Sequence, residues 1–355
     1  MLPYFTDRFG NASGSHAVSR EAKKALEESR DVVAECLGAR PSEIVFTGGG
    51  TEADNLAVLG RHQGWPGAIV CSAIEHHAVL HAAEAAASAP RLVPVTGGGV
   101  VDLDAAGELL DTDVTLVSVM LANNEIGTVQ PLAAVRELVA DRAPHAVLHT
   151  DAVQAFPWLD VASLARPAEL VAVSAHKFGG PKGVGALVVR DTVELLPILH
   201  GGGQERGRRS GTYNVAGVVG MAAAMRATAA RRAETVARVT VLRDRLADGL
   251  LEAIPDSAET GDRAAKIAGN CHLSFGDVES ESLLMLLDSA GVYAAAGSAC
   301  QSGAIEPSHV VTAVGLSDER ALGSLRLSLG VTTTDDDVDL SLSVIPPAVA
   351  RLREP

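Results

Sequence analysis

The sequence lacks several features that mark specialised classes of protein. Its four cysteines, Cys36, Cys71, Cys271 and Cys300, form no Cys-x-x-Cys pair, a spacing that fits neither a local zinc site nor a disulfide framework. The first three lie in apolar helix or strand patterns, which is typical of buried, inert thiols. No apolar run is long enough to span a bilayer, and the first residues lack the basic and apolar regions of a signal peptide. The sequence therefore predicts no metal site, no membrane segment and a cytoplasmic location.

Positive charge is also scarce. The 29 lysines and arginines are outnumbered by 44 acidic residues, which gives a net charge of -15. Sequence-independent binding to nucleic acids depends on Lys and Arg that neutralise phosphates, so we expect no direct nucleic-acid binding. A hydrophobic content of 47% over 355 residues is typical of a compact globular protein with one large and one smaller domain.

Strand-like and helical segments alternate along the first two thirds of the chain. A long amphipathic helix is predicted over residues 18–37, with Gly38 as its stop signal. Apolar runs such as 114–119 alternate with helices, which predicts a mostly parallel sheet covered on both faces. After a long helix over 215–251 the pattern changes to a smaller α+β unit. We expect a large domain over residues 1–230 and a small domain over 231–355.

The segment 174–185 is a short polar stretch between two apolar runs, which places Lys177 at the end of a strand. Such a lysine is most often an ordinary surface residue. Two other segments change this interpretation. Asp151 follows another apolar run, and Gly48-Gly49-Gly50-Thr51 stands between a strand pattern and a helix pattern.

These three elements suit pyridoxal 5'-phosphate (PLP). The cofactor needs a lysine for a Schiff base, an acid beside the pyridine nitrogen and a helix N-terminus for its phosphate. Ligands of open α/β sheets bind at the ends of the strands, which is where the three elements lie. A glycine-rich basic loop over residues 201–212 is compatible both with a solvated turn and with a phosphate or carboxylate contact.

The loop 296–309 reads Ala-Gly-Ser-Ala-Cys-Gln-Ser-Gly-Ala-Ile-Glu-Pro-Ser-His. With this loop the sequence strongly resembles the cysteine desulfurases, in the branch with the longer catalytic loop. These are fold type I PLP enzymes of the class V aminotransferase group, and the resemblance covers essentially the whole chain. It implies a seven-stranded-type large domain and a small domain whose loop 295–308 carries the catalytic cysteine.

The resemblance also implies an activity. L-cysteine would be converted to L-alanine by a homodimer, with the sulfur left as a persulfide on Cys300 for an acceptor protein. Lys177 would bind the cofactor as a Schiff base and move the Cα proton, while His76 would be a further catalytic residue that stacks on the pyridine ring and takes part in proton transfers. The small, polar neighbours of Cys300 would let it reach both the cofactor and an acceptor.

Further roles follow from the same resemblance. Asp151 would pair with the ring nitrogen, and Arg326 would bind the substrate carboxylate beside Asn124. Asn124 and Gln154 would contact the oxygen side of the ring. The residues implied for the phosphate are Gly50, Thr51, Ser174, His176 and, from a second subunit, Thr212.

Two departures from the family pattern stand out. Family members usually begin with a strand that helps to line the active site. In this chain the resemblance begins after that strand, near residues 9–11. It also has Gly48-Gly49-Gly50 where a Ser or Thr and an Ala are common, which should make the phosphate loop more flexible.

Two alternatives to the desulfurase activity stay open: another reaction on the same scaffold, such as transamination or selenocysteine lysis, and a sulfur-pathway scaffold without turnover. Cys300 argues against a transaminase, and the retained site residues argue against an idle scaffold. The acceptor is left open among iron-sulfur assembly, tRNA modification and DNA modification.

Overall fold

The computed structural model describes residues 1–87, 89–296 and 307–354. The chain divides into two compact units. The first unit comprises residues 1–93, 103–121 and 130–232, and the second comprises residues 94–102, 122–129 and those from 233 onward. Two short internal segments therefore belong to the unit that is otherwise formed by the C-terminal third of the chain.

The first unit is built on a seven-stranded sheet. Its strands are β1 (Ile44–Thr47), β2 (Ala68–Ser72), β3 (Arg91–Val93), β4 (Val114–Ser118), β5 (Val147–Asp151), β6 (Leu170–Ser174) and β7 (Gly185–Val189). Their order is β1-β7-β6-β5-β4-β2-β3. Only β7 runs antiparallel to its neighbours β1 and β6, so the predicted mostly parallel sheet is confirmed. Most of its strand residues are buried, as expected when helices cover both faces.

Six helices lie within the first unit and a seventh leaves it. They are α1 (Ala17–Cys36), α2 (Gly50–Gly64), α3 (His77–Ala86), α4 (Leu103–Leu109), α5 (Leu132–Arg142), α6 (Val161–Leu164) and α7 (Val215–Ala253). Helix α1 begins after His16, whose Nδ1 accepts a hydrogen bond from the Ser19 N–H, and Gly38 follows its end as predicted. Cys71 is fully buried in the core beside α2 and α3. Cys36 is only half-buried, because it is the last residue of α1.

The second unit is a smaller α+β structure, as predicted. Its antiparallel sheet has the order β10-β9-β8. The elements are β8 (Ser257–Glu259), β9 (Asn270–Phe275), α8 (Ser280–Ser289), α9 (His309–Ala313), α10 (Asp318–Leu322), β10 (Ser324–Ser328) and α11 (Asp335–Arg353). Across the described parts of both units, no helix combines the length and apolar character needed to cross a membrane.

The internal segment 122–129 joins the second unit through main-chain pairing. Ala122 and Val129 form an antiparallel bridge, so the segment folds back on itself. The Val129 N–H then donates to the carbonyl oxygen of Ala265 at 2.8 Å. The Asn270 side chain donates to the Glu125 carbonyl oxygen at the same distance. These contacts attach the segment to residues that lie more than a hundred positions later in the chain.

Candidate active site

The turn between β1 and α2 is made of glycine. Gly49 has a φ of +150°, a conformation that side chains rarely adopt, and α2 begins at the next residue. The Thr47 hydroxyl donates to the Gly49 carbonyl oxygen at 2.9 Å, which fixes the turn from its other side. The first N–H groups of α2 have no partner within the helix, and together with the helix dipole they favour an anion.

A cavity of about 720 Å³ opens at this turn. Its lining includes residues 48–52 at the start of α2, Ser174 at the end of β6, His176 just after it, and Lys182. The predicted phosphate residues Gly50, Thr51, Ser174 and His176 therefore meet at one site, although more than 120 positions separate the two pairs. Backbone N–H groups, hydroxyls, an imidazole and an ammonium form the donor set that a phosphate dianion needs. The residues present thus fit the phosphate of PLP.

Lys177 lies in a short 3-10 turn over Ala175–Phe178, which directly follows β6. Its side chain is exposed. The neighbouring His176 shares a hydrogen bond of 2.9 Å between its Nδ1 and the Ser174 hydroxyl. Burial, with the charges of Lys177 and Lys182, lowers the pKa of His176. The imidazole is therefore neutral near pH 7 and keeps a nitrogen for hydrogen bonding.

Asp151 is the last residue of β5 and is 6% exposed. One carboxylate oxygen accepts a hydrogen bond from the Val153 N–H at 2.8 Å. Burial raises the pKa of Asp151 to about 6, and the Val153 hydrogen bond and the positive charge of Lys177 act in the opposite direction. The carboxyl is thus ionised at neutral pH, close enough to Lys177 for the two charges to interact. This is the behaviour needed beside a protonated pyridine nitrogen.

Two more carboxyl groups lie near Asp151 and were not predicted. Glu75 is fully buried, and burial and then the charge of Asp151 raise its pKa to about 8. Asp54, on α2, is 1% exposed, and the same causes together with Glu75 raise its pKa well above the ordinary value. Within the part of the chain that the structure describes, no group of acidic, His or Cys side chains is arranged to hold a metal ion.

His149 completes this buried group from β5. Its Nδ1 shares a hydrogen bond of 2.8 Å with the Ser118 hydroxyl, and its Nε2 faces Asp54. Burial lowers the pKa of His149 to about 3, so the ring is neutral. A sequence signal for this group is weak, because its members come from three separate segments of the chain and only the fold brings them together.

The remaining predicted residues of the first unit lie at the ends of elements. His76 caps α3, where its Nδ1 accepts a hydrogen bond from the Ala78 N–H at 3.0 Å, and its ring is half-buried. Gln154 is half-buried and lies three residues after Asp151. Thr212 is exposed at the end of the basic loop 201–212.

The basic loop is anchored by two ion pairs. Glu205 is buried and accepts two hydrogen bonds, of 2.8 and 2.9 Å, from the equally buried Arg30. Arg209 donates through its Nε and Nη2 to both carboxylate oxygens of Glu52, at 2.6 and 3.1 Å. Glu205 and Arg206 have positive φ angles of 49° and 58°. The loop is therefore not a freely solvated turn, which was one of the two interpretations of its sequence.

The second unit holds the predicted carboxylate-binding residue. Arg326 lies on β10 opposite His272 of β9, and its Nη1 donates to the carbonyl oxygen of Asn124 at 3.2 Å. The two residues predicted to bind substrate are thus in contact. The main chain of Arg326 also pairs with Ala295. Cys300, the predicted catalytic cysteine, lies outside the described residues.

Sequence reasoning assigned no role to Glu52 or Lys182, which both line the cavity. Each had a signal. Glu52 follows Gly-Gly-Gly-Thr in the first turn of a helix, where a carboxylate stabilises the helix dipole, and Lys182 lies between two glycine-containing turns near Lys177.

The chain is similar in sequence and in structure to known proteins. Residues 1–340 match the family model for aminotransferase class-V. The chain is 45% identical to an IscS-like cysteine desulfurase of Mycobacterium tuberculosis, over 97% of this chain and 90% of the relative. It is 43% identical to the cysteine desulfurase IscS of Methanosarcina thermophila, over 99% and 88% respectively. A solved structure of a NifS-like protein superposes with a TM-score of 0.91 at 33% identity, covering 99% of this chain and 94% of the other.

Proposed function

This chain belongs to the class-V aminotransferase family, and from that premise we propose that it is a PLP-dependent cysteine desulfurase. It converts L-cysteine to L-alanine and leaves the sulfur as a persulfide on Cys300. One observation carries the proposal: the cavity at the start of α2 unites the phosphate donors beside the strand end that bears Lys177. The identity of about 43–45% to relatives named as cysteine desulfurases supports the same activity.

The cofactor is held through its phosphate and its ring nitrogen. The N-terminus of α2, with Thr51, binds the phosphate together with Ser174 and His176. Asp151 bonds the ring nitrogen and keeps it protonated, because a buried carboxylate stabilises a nearby positive charge. When bound, PLP supplies an electron sink that makes the Cα proton of an amino acid acidic.

Lys177 carries the cofactor and moves the Cα proton of the substrate. It lies on a short turn directly after β6 and its side chain is exposed, which suits a group that has to move during the reaction. His76 stacks on the ring, and its half-buried position as the cap of α3 restricts the rotation of the imidazole. Gln154 contacts the oxygen side of the ring.

The substrate carboxylate binds to Arg326. Guanidinium has a planar fork of donors that matches a carboxylate, which a lysine cannot offer. The hydrogen bond from Arg326 to the Asn124 carbonyl oxygen holds one arm of this fork in place. The side-chain amide of Asn124 would contact the ring oxygen and the substrate.

Cys300 acts as a thiolate nucleophile on the sulfur of the substrate. A sulfur–sulfur bond forms while the carbon–sulfur bond of the substrate breaks. The electron pair of the broken bond stays with the carbon fragment, which takes up protons and leaves as alanine. The transferred sulfur is then available to an acceptor protein of iron-sulfur assembly or of tRNA or DNA modification.

The proposal includes a homodimer in which Thr212 completes the phosphate site of the partner subunit. Its support is the exposed position of Thr212 on a loop that two ion pairs hold in place. The proposed location is the cytoplasm, where thiols stay reduced. The three described cysteines are free thiols, which is compatible with that location.

The test is mass spectrometry of the PLP-loaded protein after addition of L-cysteine, with alanine assayed in parallel. The peptide that contains Cys300 should gain one sulfur atom, and Cys300→Ala should abolish both the gain and alanine release. Cys36→Ala is the matched control, because Cys36 is the half-buried thiol of the first unit.

The control variant should behave as the unmodified protein does. Alanine release from Cys300→Ala, or sulfur that accumulates on Cys36, would contradict the assigned role of Cys300. A PLP-loaded protein that forms neither persulfide nor alanine would contradict the desulfurase activity itself.

A further inference from the structure

We propose that Glu52 and Arg209 form a brace that holds residues 48–50 in the conformation that accepts the cofactor phosphate. The inference rests on the proposed function, because it concerns the phosphate site of that function. Neither residue would contact the reacting atoms, so both are positioning residues.

Glu52 is fixed by three hydrogen bonds. Its Oε2 accepts from the Gly48 N–H at 2.7 Å, so the carboxylate reaches back over the turn that precedes its own helix. Arg209 approaches from the basic loop and donates to both oxygens. The side chains of the two residues are 21% and 23% exposed. A bidentate and partly buried pair of this kind holds its geometry better than an exposed ion pair.

The charge of Glu52 suits the N-terminal end of the α2 dipole, but it opposes a phosphate bound at the same end. The carboxylate lines the same cavity as Thr51 and Ser174, where a phosphate dianion would bind. Two like charges in one cavity repel each other. Arg209 offsets the charge of Glu52, but a neutral side chain at position 52 would avoid the repulsion without any partner. The helix dipole is one reason for a carboxylate here, and the hydrogen bond from the Gly48 N–H points to a second one.

The flexibility of the turn supplies that reason. Three consecutive glycines give the backbone of residues 48–50 far more accessible conformations than other residues would. The hydrogen bond from Gly48 to Glu52 selects one of them. A Cβ atom at Gly48 would lie 2.7 Å from the Glu52 Oε2, so a side chain there would require the carboxylate to shift from its present position. The brace thus limits the backbone conformations of a loop whose three glycines would otherwise allow many.

The brace and a simple charge effect predict opposite results for Glu52→Ala. Removal of a negative charge beside the phosphate should strengthen PLP binding if only charge matters. If the carboxylate positions the loop, the same change should weaken PLP binding. Arg209→Ala weakens binding in both cases, so Glu52→Ala is the decisive variant.

The experiment is a titration of the full-length, cofactor-free protein with PLP and, separately, with pyridoxal, which has no phosphate. We expect Glu52→Ala and Arg209→Ala to raise the Kd for PLP about tenfold to a hundredfold, the range for charge-assisted hydrogen bonds. The Kd for pyridoxal should stay unchanged. The double variant should bind PLP no more weakly than the weaker-binding single variant, because both changes disrupt the same ion pair.

Arg206→Ala is the matched control. It removes the same charge from the same loop, but Arg206 donates to the Ser42 carbonyl oxygen rather than to Glu52. Its Kd for PLP should match that of the unmodified protein. Arg209→Lys keeps the charge and loses the fork, so it should fall between the unmodified protein and Arg209→Ala, and it provides the test if the alanine variants do not fold.

The outcomes separate the brace from the proposed function. An unmodified protein that does not bind PLP would overturn both. If the unmodified protein binds PLP and Glu52→Ala binds it equally or more tightly, only the brace is overturned. The brace is also overturned by an equal loss of pyridoxal binding, which would indicate general disruption, or by an Arg206→Ala variant as weak as Arg209→Ala.

Discussion

The Nε2 atom of His149 lies 3.5 Å from the Oδ1 atom of Asp54, and both side chains are buried in the first unit. Burial lowers the pKa of His149 to about 3 and raises that of Asp54 well above its ordinary value. The contact is therefore between a neutral imidazole and a carboxyl group whose protonated form is favoured by burial. It connects α2, which carries the proposed phosphate site, to β5, which ends at Asp151.

Asp54→Asn should therefore be tolerated. The amide is also neutral, so the free energy of unfolding at pH 5 should change by less than about 1 kcal/mol. A carboxyl with a raised folded pKa gives stability that is full below its unfolded pKa and is lost as pH rises towards the folded pKa. The variant should consequently gain stability relative to the unmodified protein as pH rises above the ordinary pKa range of a carboxyl group.

Urea unfolding at pH 5, 7 and 9 measures this difference. Asp141→Asn is the control, because the Asp141 side chain is 73% exposed and its change should not depend on pH. A large loss of stability for Asp54→Asn at all three pH values would indicate an ionised pair instead.

Glu75→Gln should remove a second part of the pH dependence. The pKa of Glu75 is about 8 in the folded protein, compared with an ordinary value of 4.5. Its contribution to stability is therefore full below pH 4.5 and is lost as pH rises through 8. At 1.36 kcal/mol per pKa unit, the total is on the order of a few kcal/mol.

The amide can still accept the hydrogen bond that the Met120 N–H donates to Glu75. The difference in unfolding free energy between Glu75→Gln and the unmodified protein should thus grow in favour of the variant from pH 5 to pH 8. Glu84→Gln, at an exposed position of α3, serves as control. A difference that does not vary with pH would show that Glu75 ionises normally.

Arg30→Met should destabilise the protein by about 3–5 kcal/mol, the usual result of leaving one member of a buried ion pair without its partner. Glu205 is 3% exposed and would become that unpaired charge. Thermal unfolding measures the loss. Lys24→Met, which breaks an exposed pair with Glu28 on the same helix, should cost less than about 1 kcal/mol.

Addition of Glu205→Gln to Arg30→Met should restore part of the lost stability, because the double variant buries no unpaired charge. A double variant as unstable as the sum of the two single changes would mean that the residues act independently.

Asp151→Asn should lower the rate of alanine formation about a hundredfold or more, the scale observed when one preorganised electrostatic group is removed from an active site. An amide cannot carry the negative charge that keeps a ring nitrogen protonated. PLP should still bind, because the phosphate donors are unchanged. Initial rates with saturating L-cysteine measure the effect, and Asp160→Asn at a nearby exposed position should leave the rate unaltered.

Local patterns were sufficient to predict where the proposed cofactor residues lie on their elements. Asp151 ends β5, Lys177 follows β6, and Gly50 begins α2, each as the alternation of apolar and polar residues indicated. These positions follow from chain-local rules, because a buried strand ends where polar residues and glycine begin.

Contacts between distant segments were not predictable in this way. Nothing near Glu52 indicates Arg209, which is 157 positions later. The buried group of Asp54, Glu75 and His149 exists only because α2, β5 and the connection between β2 and α3 pack together. The antiparallel direction of β7 was also not apparent, since its residues are as apolar as those of the parallel strands. Both kinds of feature depend on how distant segments of the chain are arranged in the fold, and local sequence patterns do not reveal that arrangement.

The pairing of residues 122–129 with Ala265 and Asn270 has a consequence for the order of synthesis. A ribosome produces this segment about 140 residues before its partners, which takes roughly ten seconds or more at common elongation rates. During that interval the segment lacks the Ala265 carbonyl oxygen and the Asn270 side-chain amide that it later binds. The first unit must therefore reach its native state around an unfinished insertion, or wait until translation of the second unit is complete.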